Sequence, residues 1–109
     1  MNRTRKINMK EHIVKFERGP RKKKYTVHVQ NKKTKKTRKL HFGARGYAQY
    51  RDSTPLKLYK KHNHNDRRRM MRYFSRHSGT SHRSKAIQKE IRKSKGLYTP
   101  KLLSHLYLW

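Results

Sequence analysis

The chain has 109 residues, 33 of them Lys or Arg and five of them Asp or Glu, giving a formal charge of +28 with neutral histidines. That length suits one small domain, and five carboxylates (Glu11, Glu17, Asp52, Asp66 and Glu90) leave most of the charge to an external polyanion: DNA, RNA, an anionic membrane surface or an acidic protein. The lack of cysteine excludes disulfides and thiolate zinc sites, and 30% hydrophobic residues allow only a small core built largely on seven Tyr, three Phe and one Trp.

Residues 1–10, MNRTRKINMK, are basic without a hydrophobic period and read as an arm that orders on a partner. HIVKFER mixes β-branched and aromatic residues, a first strand that Gly19 and Pro20 end. KKYTVHVQ is the clearest strand, with Tyr25, Val27 and Val29 alternating with Thr26, His28 and Gln30. After the basic turn NKKTKK, the stretch TRKLHFG places Leu40 and Phe42 on one face and Lys39 and His41 on the other. These three segments predict an antiparallel meander over residues 11–43 with one apolar and one charged face. Gly43 and Gly46 close it in a permissive turn. FGARGY lacks the lysine and hydroxyl of a P-loop and the further glycine of a dinucleotide fingerprint.

YAQYRDSTPLKLYKKHNHN breaks at Pro55 and reads as a packed loop with a short helical turn. Tyr47, Tyr50, Leu56, Leu58 and Tyr59 are its expected anchors against the sheet. From Asp66 the pattern is helical, with Asn65 or Asp66 as the cap. Met70, Tyr73, Phe74 and His77 share one face, Arg68, Arg72 and Arg76 another, and Gly79 stops the helix. GTSHR links to SKAIQKEIRKSKG, where Ser84 caps, Ala86, Ile87 and Ile91 form a narrow apolar strip, and Gly96 terminates. In TPKLLSHLYLW, Thr99 caps, Pro100 takes the first helical position, and Leu102, Leu103, Leu106 and Trp109 must dock for so short a helix to persist. LLSHLYLW is the longest apolar-rich segment and is too short for a signal peptide or a membrane span, so a soluble chain made in the cytoplasm is expected. The fold class predicted is α+β: a single small domain over residues 11–109, its sheet packed by two or three short helices from residues 62–109, behind a basic N-terminal arm.

HNHNDRRRMMRYFSRH, residues 62–77, holds the densest chemistry and admits three readings. A metal site would use His62, His64, Asp66 and His77, but five arginines oppose a divalent cation and no further carboxylate is at hand to orient the imidazoles. A nuclease would take His64 or His77 as base and needs carboxylates for magnesium, of which only Asp52 and Asp66 are near. A cationic helix needs only what is present: rigid guanidinium forks at successive turns, able to follow a phosphate chain or an acidic strip. On that reading the polyanion-binding residues are Arg67, Arg68, Arg69, Arg72 and Arg76, joined by Arg21, Lys22 and Lys23, by Lys32, Lys33, Lys35 and Lys36, and by Arg92 and Lys93. His77 is expected as a packed, hydrogen-bonded core residue, and Tyr25, Tyr47 and Tyr73 as core rather than base-stacking residues. No catalytic residue, metal, cofactor or small-molecule substrate is expected. No helix-turn-helix, zinc-finger or RNA-recognition signature occurs, so nucleic-acid contacts would go to the backbone.

KKYTVHVQNKKTKKTRKLHFGARGYAQYRD, then DRRRMMRYFSRHSG, then TPKLLSHLYLW, resembles a family of small, basic, largely uncharacterised proteins of nucleocytoplasmic large DNA viruses, with shorter relatives in tailed phages. That family's Y-x-V-x-V strand maps onto Tyr25, Val27 and Val29, and its F-G strand end onto Phe42 and Gly43. Its arginine-rich helix maps, with slightly different spacing, onto Arg68, Arg69, Tyr73, Arg76 and His77, and its closing Leu-Trp onto Leu108 and Trp109. Family members often carry an acid where this chain has Ala44. The resemblance spans roughly residues 23–109 and implies a viral origin and packaging in the particle, without supplying an activity. It points to a non-enzymatic virion protein made in the host cytoplasm, a minor capsid or cement component among other virion proteins. Its polyanion would be the acidic inner surface of the major capsid protein, anionic lipid or viral DNA. The alternatives are a sequence-independent DNA-packaging protein, a ribosomal-type RNA-binding protein and, third, a small nuclease.

Overall fold

Three antiparallel strands, β1 (Glu11–Arg18), β2 (Lys23–Asn31) and β3 (Thr37–Ala44), form a meander in the order β1-β2-β3. The computed structural model describes residues 9–109, so all of the predicted basic arm except Met9 and Lys10 lies outside the described residues. A 3₁₀ turn (Lys60–His62) follows, then α1 (Arg67–Ser78), α2 (Arg83–Ser94) and α3 (Pro100–Tyr107). The chain is α+β, a three-stranded sheet packed by short helices.

The period-two residues of β2 form the core. Tyr25, Val27 and Val29 are fully buried, with Phe42 of β3 and Leu103 and Leu108 from the last segment packed on them. In β1, Ile13 and Phe16 are three residues apart and would face opposite sides of a regular strand. A bulge resolves the conflict: Ile13 pairs with Val29 and Lys15 with the preceding His28, leaving Val14 as the extra residue. Ile13 and Phe16 therefore both reach the core, while Val14 is turned out. The lysine-rich β2–β3 turn is shaped by Asn31, whose side-chain oxygen accepts the N–H groups of Lys33 and Thr34 at 2.9 Å each. Gly43 has φ of +80°, and a Cβ there would lie 2.9 Å from the Leu108 side chain, so glycine is required where β3 meets the C-terminal segment.

The helix ends follow local chemistry. The Asp66 carboxylate accepts the N–H groups of Arg68 and Arg69, and Gly79 closes α1 in the left-handed region. Thr99 Oγ1 accepts the Leu102 N–H at 3.0 Å, with Pro100 at the start of α3. Ser84 is not a cap. The first helical bond of α2 runs from the Ala86 N–H to the His82 carbonyl, so the helix starts at Arg83 and Ser84 lies within its first turn. The α2 strip is also wider than predicted, because Glu90 is buried beside Ala86 and Ile87.

The loop over residues 45–65 reverses expectation. Tyr47, Leu56 and Leu58 are 70%, 42% and 40% exposed, and Tyr50 is half-buried against His64 rather than in the sheet core. Only Tyr59 anchors as predicted, edge-on to Tyr25. The buried residues are polar: Gln49, Asp52 and Thr54. A loop without a ladder must satisfy its own amide groups, and short polar side chains do so where tyrosine and leucine cannot. Asp52 accepts from the Thr54 N–H and hydroxyl, the Tyr59 N–H and the Tyr25 hydroxyl. Asn63 accepts from the Gln49 amide and the Asp52 N–H.

A candidate polyanion-binding surface

The predicted cations fall into two groups at opposite ends of the sheet. Arg21, Lys22 and Lys23 occupy the β1–β2 turn and the start of β2, whereas Lys32, Lys33, Lys35 and Lys36 occupy the β2–β3 turn, and all seven are exposed. The nine residues of β2 hold the two turns roughly 27 Å apart. The Lys10 N–H bonds the Gly96 carbonyl and the Lys32 N–H bonds the Lys10 carbonyl, both at 2.8 Å. These bonds join the β2–β3 turn to the C-terminal end of α2, where exposed Arg92 and Lys93 also suit the negative end of the helix dipole. At the other end, Lys23 shares a cavity with Tyr73 and His77 of α1. Arg67, Arg68, Arg69, Arg72 and Arg76 are all exposed on that helix.

All five carboxylates are engaged within the fold. Glu11 is buried, takes a two-point bond from Arg38 at 2.7 and 3.0 Å, and accepts the Tyr98 N–H at 2.9 Å. Burial alone would raise its carboxyl, but the Arg38 and Tyr98 bonds outweigh it and hold the carboxyl below the usual range. Glu17 lies 2.7 Å from His28 and 3.3 Å from Lys15, and those bonds, His28 first, depress it too. Asp66 is lowered first by the Arg69 N–H it caps. Glu90 meets Lys101 at 3.2 Å and Lys93 at 3.9 Å, and Asp52 serves the loop network. No acid is left over to neutralise the exposed arginines and lysines.

Among the described residues, no three His, Asp or Glu side chains are placed to share a metal ion. His64 commits Nδ1 to the Asp66 N–H at 2.9 Å, and burial, then the Arg69 charge, lowers its pKa. His77, expected in the core, is exposed at the end of α1 with its ring centroid 4.5 Å from that of Tyr73. The packed histidine is His105, which the sequence reading missed although it lies three residues from Leu102 on the same helical face. Tyr25 and Tyr73 are core, as predicted, and Tyr47 is not. The fold also brings in four cations the reading left out: Arg51, Arg83 and Lys101 beside α1, and buried Lys24. Lys24 donates to the Tyr47 carbonyl at 2.7 Å and to Gln49, and burial lowers its pKa to about 8.

His105 is fully buried, with the Tyr73 hydroxyl 2.9 Å from Nδ1 and Ser78 Oγ 3.1 Å from Nε2. Burial lowers its pKa to about 4; Glu90 opposes the shift, while Lys101, His77 and Arg83 add to it. The unfolded chain, with a pKa of about 6.5, therefore takes up this proton first. The stabilisation is intact at pH 7 and is lost as pH falls from 6.5 towards 4. Stability is expected to fall by about 2 kcal/mol between pH 7 and 5, and less steeply in His105→Gln. Urea unfolding at both pH values reads it, and equal slopes in the two proteins would assign the loss to other groups.

Among the described residues no helix is long and apolar enough to cross a membrane. The chain matches no protein-family model, no curated protein and no solved structure.

Proposed function

We propose that this chain is a non-enzymatic virion protein of a large DNA virus, a cement or minor capsid component that holds polyanionic surfaces together. The observation that carries the reading is the placement of charge. All five Asp and Glu side chains are engaged inside the fold, and the cations assigned to polyanion binding lie towards the two ends of β2. One copy can thus engage two negative surfaces at once, as a bridge requires and a purely one-sided binder does not. The motif order shared with the viral family supports the origin, and the exposed guanidinium ladder of α1 supports contact with phosphate or carboxylate strips rather than with base edges. Its partners would be the acidic inner face of the major capsid protein, anionic lipid or packaged DNA.

Purified virions separated into shell and DNA core at rising salt test this. The protein is expected to remain with the shell after nuclease treatment and to leave it only at high salt. Departure with the DNA would replace the reading with a packaging protein, and absence from particles would remove both.

A further inference from the structure

Two cavities of about 370 and 460 Å³ open along successive turns of α1 and share the Trp109 ring as a wall. Arg67 and Met70 border the first, Tyr73 and His77 the second. The opposite side is the loop after β3, which gives Tyr50 and Arg51 to the first and Tyr47 to the second. Both volumes lie within the range of about 300–1,000 Å³ usual for small-molecule sites.

The lining has one sign of charge. Arg51, Arg67 and Arg83 line the first cavity; exposed Lys23, buried Lys24 and Lys101, which is paired with Glu90, line the second, and no Asp or Glu side chain lines either. Two guanidiniums are already held in place. Arg83 donates to the main-chain oxygens of His105, Leu106 and Trp109 at 3.0–3.3 Å. Arg51 donates to Asn65 Oδ1 at 3.1 Å and lies 5.2 Å over the Tyr50 ring. Holding them this way reduces the ordering cost of binding an anion. Of the rings along the groove, Tyr47 is 70% exposed, Tyr50 lies under the Arg51 guanidinium, and Trp109 is stacked on Tyr73 with ring centroids 4.3 Å apart.

Cations beside an exposed aromatic face suit an anion that carries planar groups at intervals. We propose that the two cavities take adjacent nucleotides of a single nucleic-acid strand, phosphates at Arg51, Arg67 and Lys23 and a base against Tyr47. A duplex keeps its base faces stacked inside, and an acyl chain needs an unbroken slot, which Trp109 divides. The proposal rests on the polyanion part of the function above and adds a preference for unpaired strands.

Trp109 is the sole tryptophan and reports on the groove directly. The full chain would be titrated with oligo(dT), with oligo(U) and with a duplex of equal phosphate number, following tryptophan emission. Saturable quenching by a single strand, with little change on duplex binding, is the expected result, and the tighter oligonucleotide identifies the strand as DNA or RNA. Tyr47→Ala should weaken single-strand binding about tenfold with its melting temperature unchanged, since its side chain is exposed. Arg51→Gln should weaken it several-fold. Equal quenching by duplex, or a Tyr47→Ala protein that binds single strands like the parent, would overturn the groove while leaving the polyanion reading standing. Binding to phosphatidylglycerol vesicles but to no nucleic acid would also overturn it.

Discussion

Asp52→Ala is expected to destabilise the protein by about 3–5 kcal/mol, the range for breaking a buried charged contact. Asp52 is 3% exposed and accepts from four donors: the Tyr25 hydroxyl, the Thr54 N–H and hydroxyl, and the Tyr59 N–H. The hydroxyl of Tyr25 depends on it most, because burial, reinforced by the Asp52 hydrogen bond, pushes that phenol up to about 12. Alanine leaves these donors buried without an acceptor and removes the negative charge whose attraction partly offsets the burial of Lys24. A small domain has about 5–15 kcal/mol in total, so this one change should bring the chain near its unfolding midpoint at 25 °C. Asp52→Asn, which keeps one acceptor oxygen, should lose less. Urea unfolding of the full chain measures both. A loss below about 1 kcal/mol for Asp52→Ala would mean that water or loop movement replaces the carboxylate, and that the 45–65 loop is not held as described.

The second large effect concerns binding. Arg68→Gln, Arg72→Gln and Arg76→Gln together should weaken binding to duplex DNA about a hundredfold near 0.1 M salt and lower the slope of log affinity against log salt by about 3. The three side chains are exposed at successive turns of α1, away from Tyr73 and Phe74, so the helix should remain folded. Each guanidinium lost leaves one more phosphate with its counterion, which sets the size of the slope change. The comparison is a salt titration of triple variant and parent on the same duplex, with thermal unfolding as the control. An unchanged slope would show that this face of α1 meets no phosphate, and would turn attention to Lys32, Lys33, Lys35 and Lys36 at the far end of the sheet. Those lysines are the second arm of the proposed bridge, so their loss should release one surface without affecting the α1 groove.

Much of the architecture was legible because it is local. Alternation over Tyr25–Val29 sets a strand, Asp66 and Gly79 bound α1, and Thr99 with Pro100 starts α3. The loop after β3 was misread because burial there answers to hydrogen bonding rather than hydropathy. Gln49, Asp52 and Thr54 are drawn in to satisfy amides while Tyr47, Leu56 and Leu58 are left outside. The β1 bulge was likewise hidden, since only pairing with β2 reveals that Val14 is the extra residue. His77, expected in the core, lies outside it, and His105, of which nothing was expected, lies inside, for a related reason. The apolar face of α1 ends before His77, and it is Tyr73 of α1 and Ser78 at its end that enclose His105.

By itself the sequence determined the elements, the excess of cations over acids and the exposure of the α1 arginines, because propensity, capping and net charge are properties of neighbours and totals. Only the tertiary structure decided where the charge is usable. It tied Glu11 to the Tyr98 amide 87 positions away, held two lysine-rich turns at opposite ends of β2, and set Trp109 between two cationic cavities built from the loop, α1 and α3. Such pairings depend on chain closure over long separations, which short-range patterns do not record.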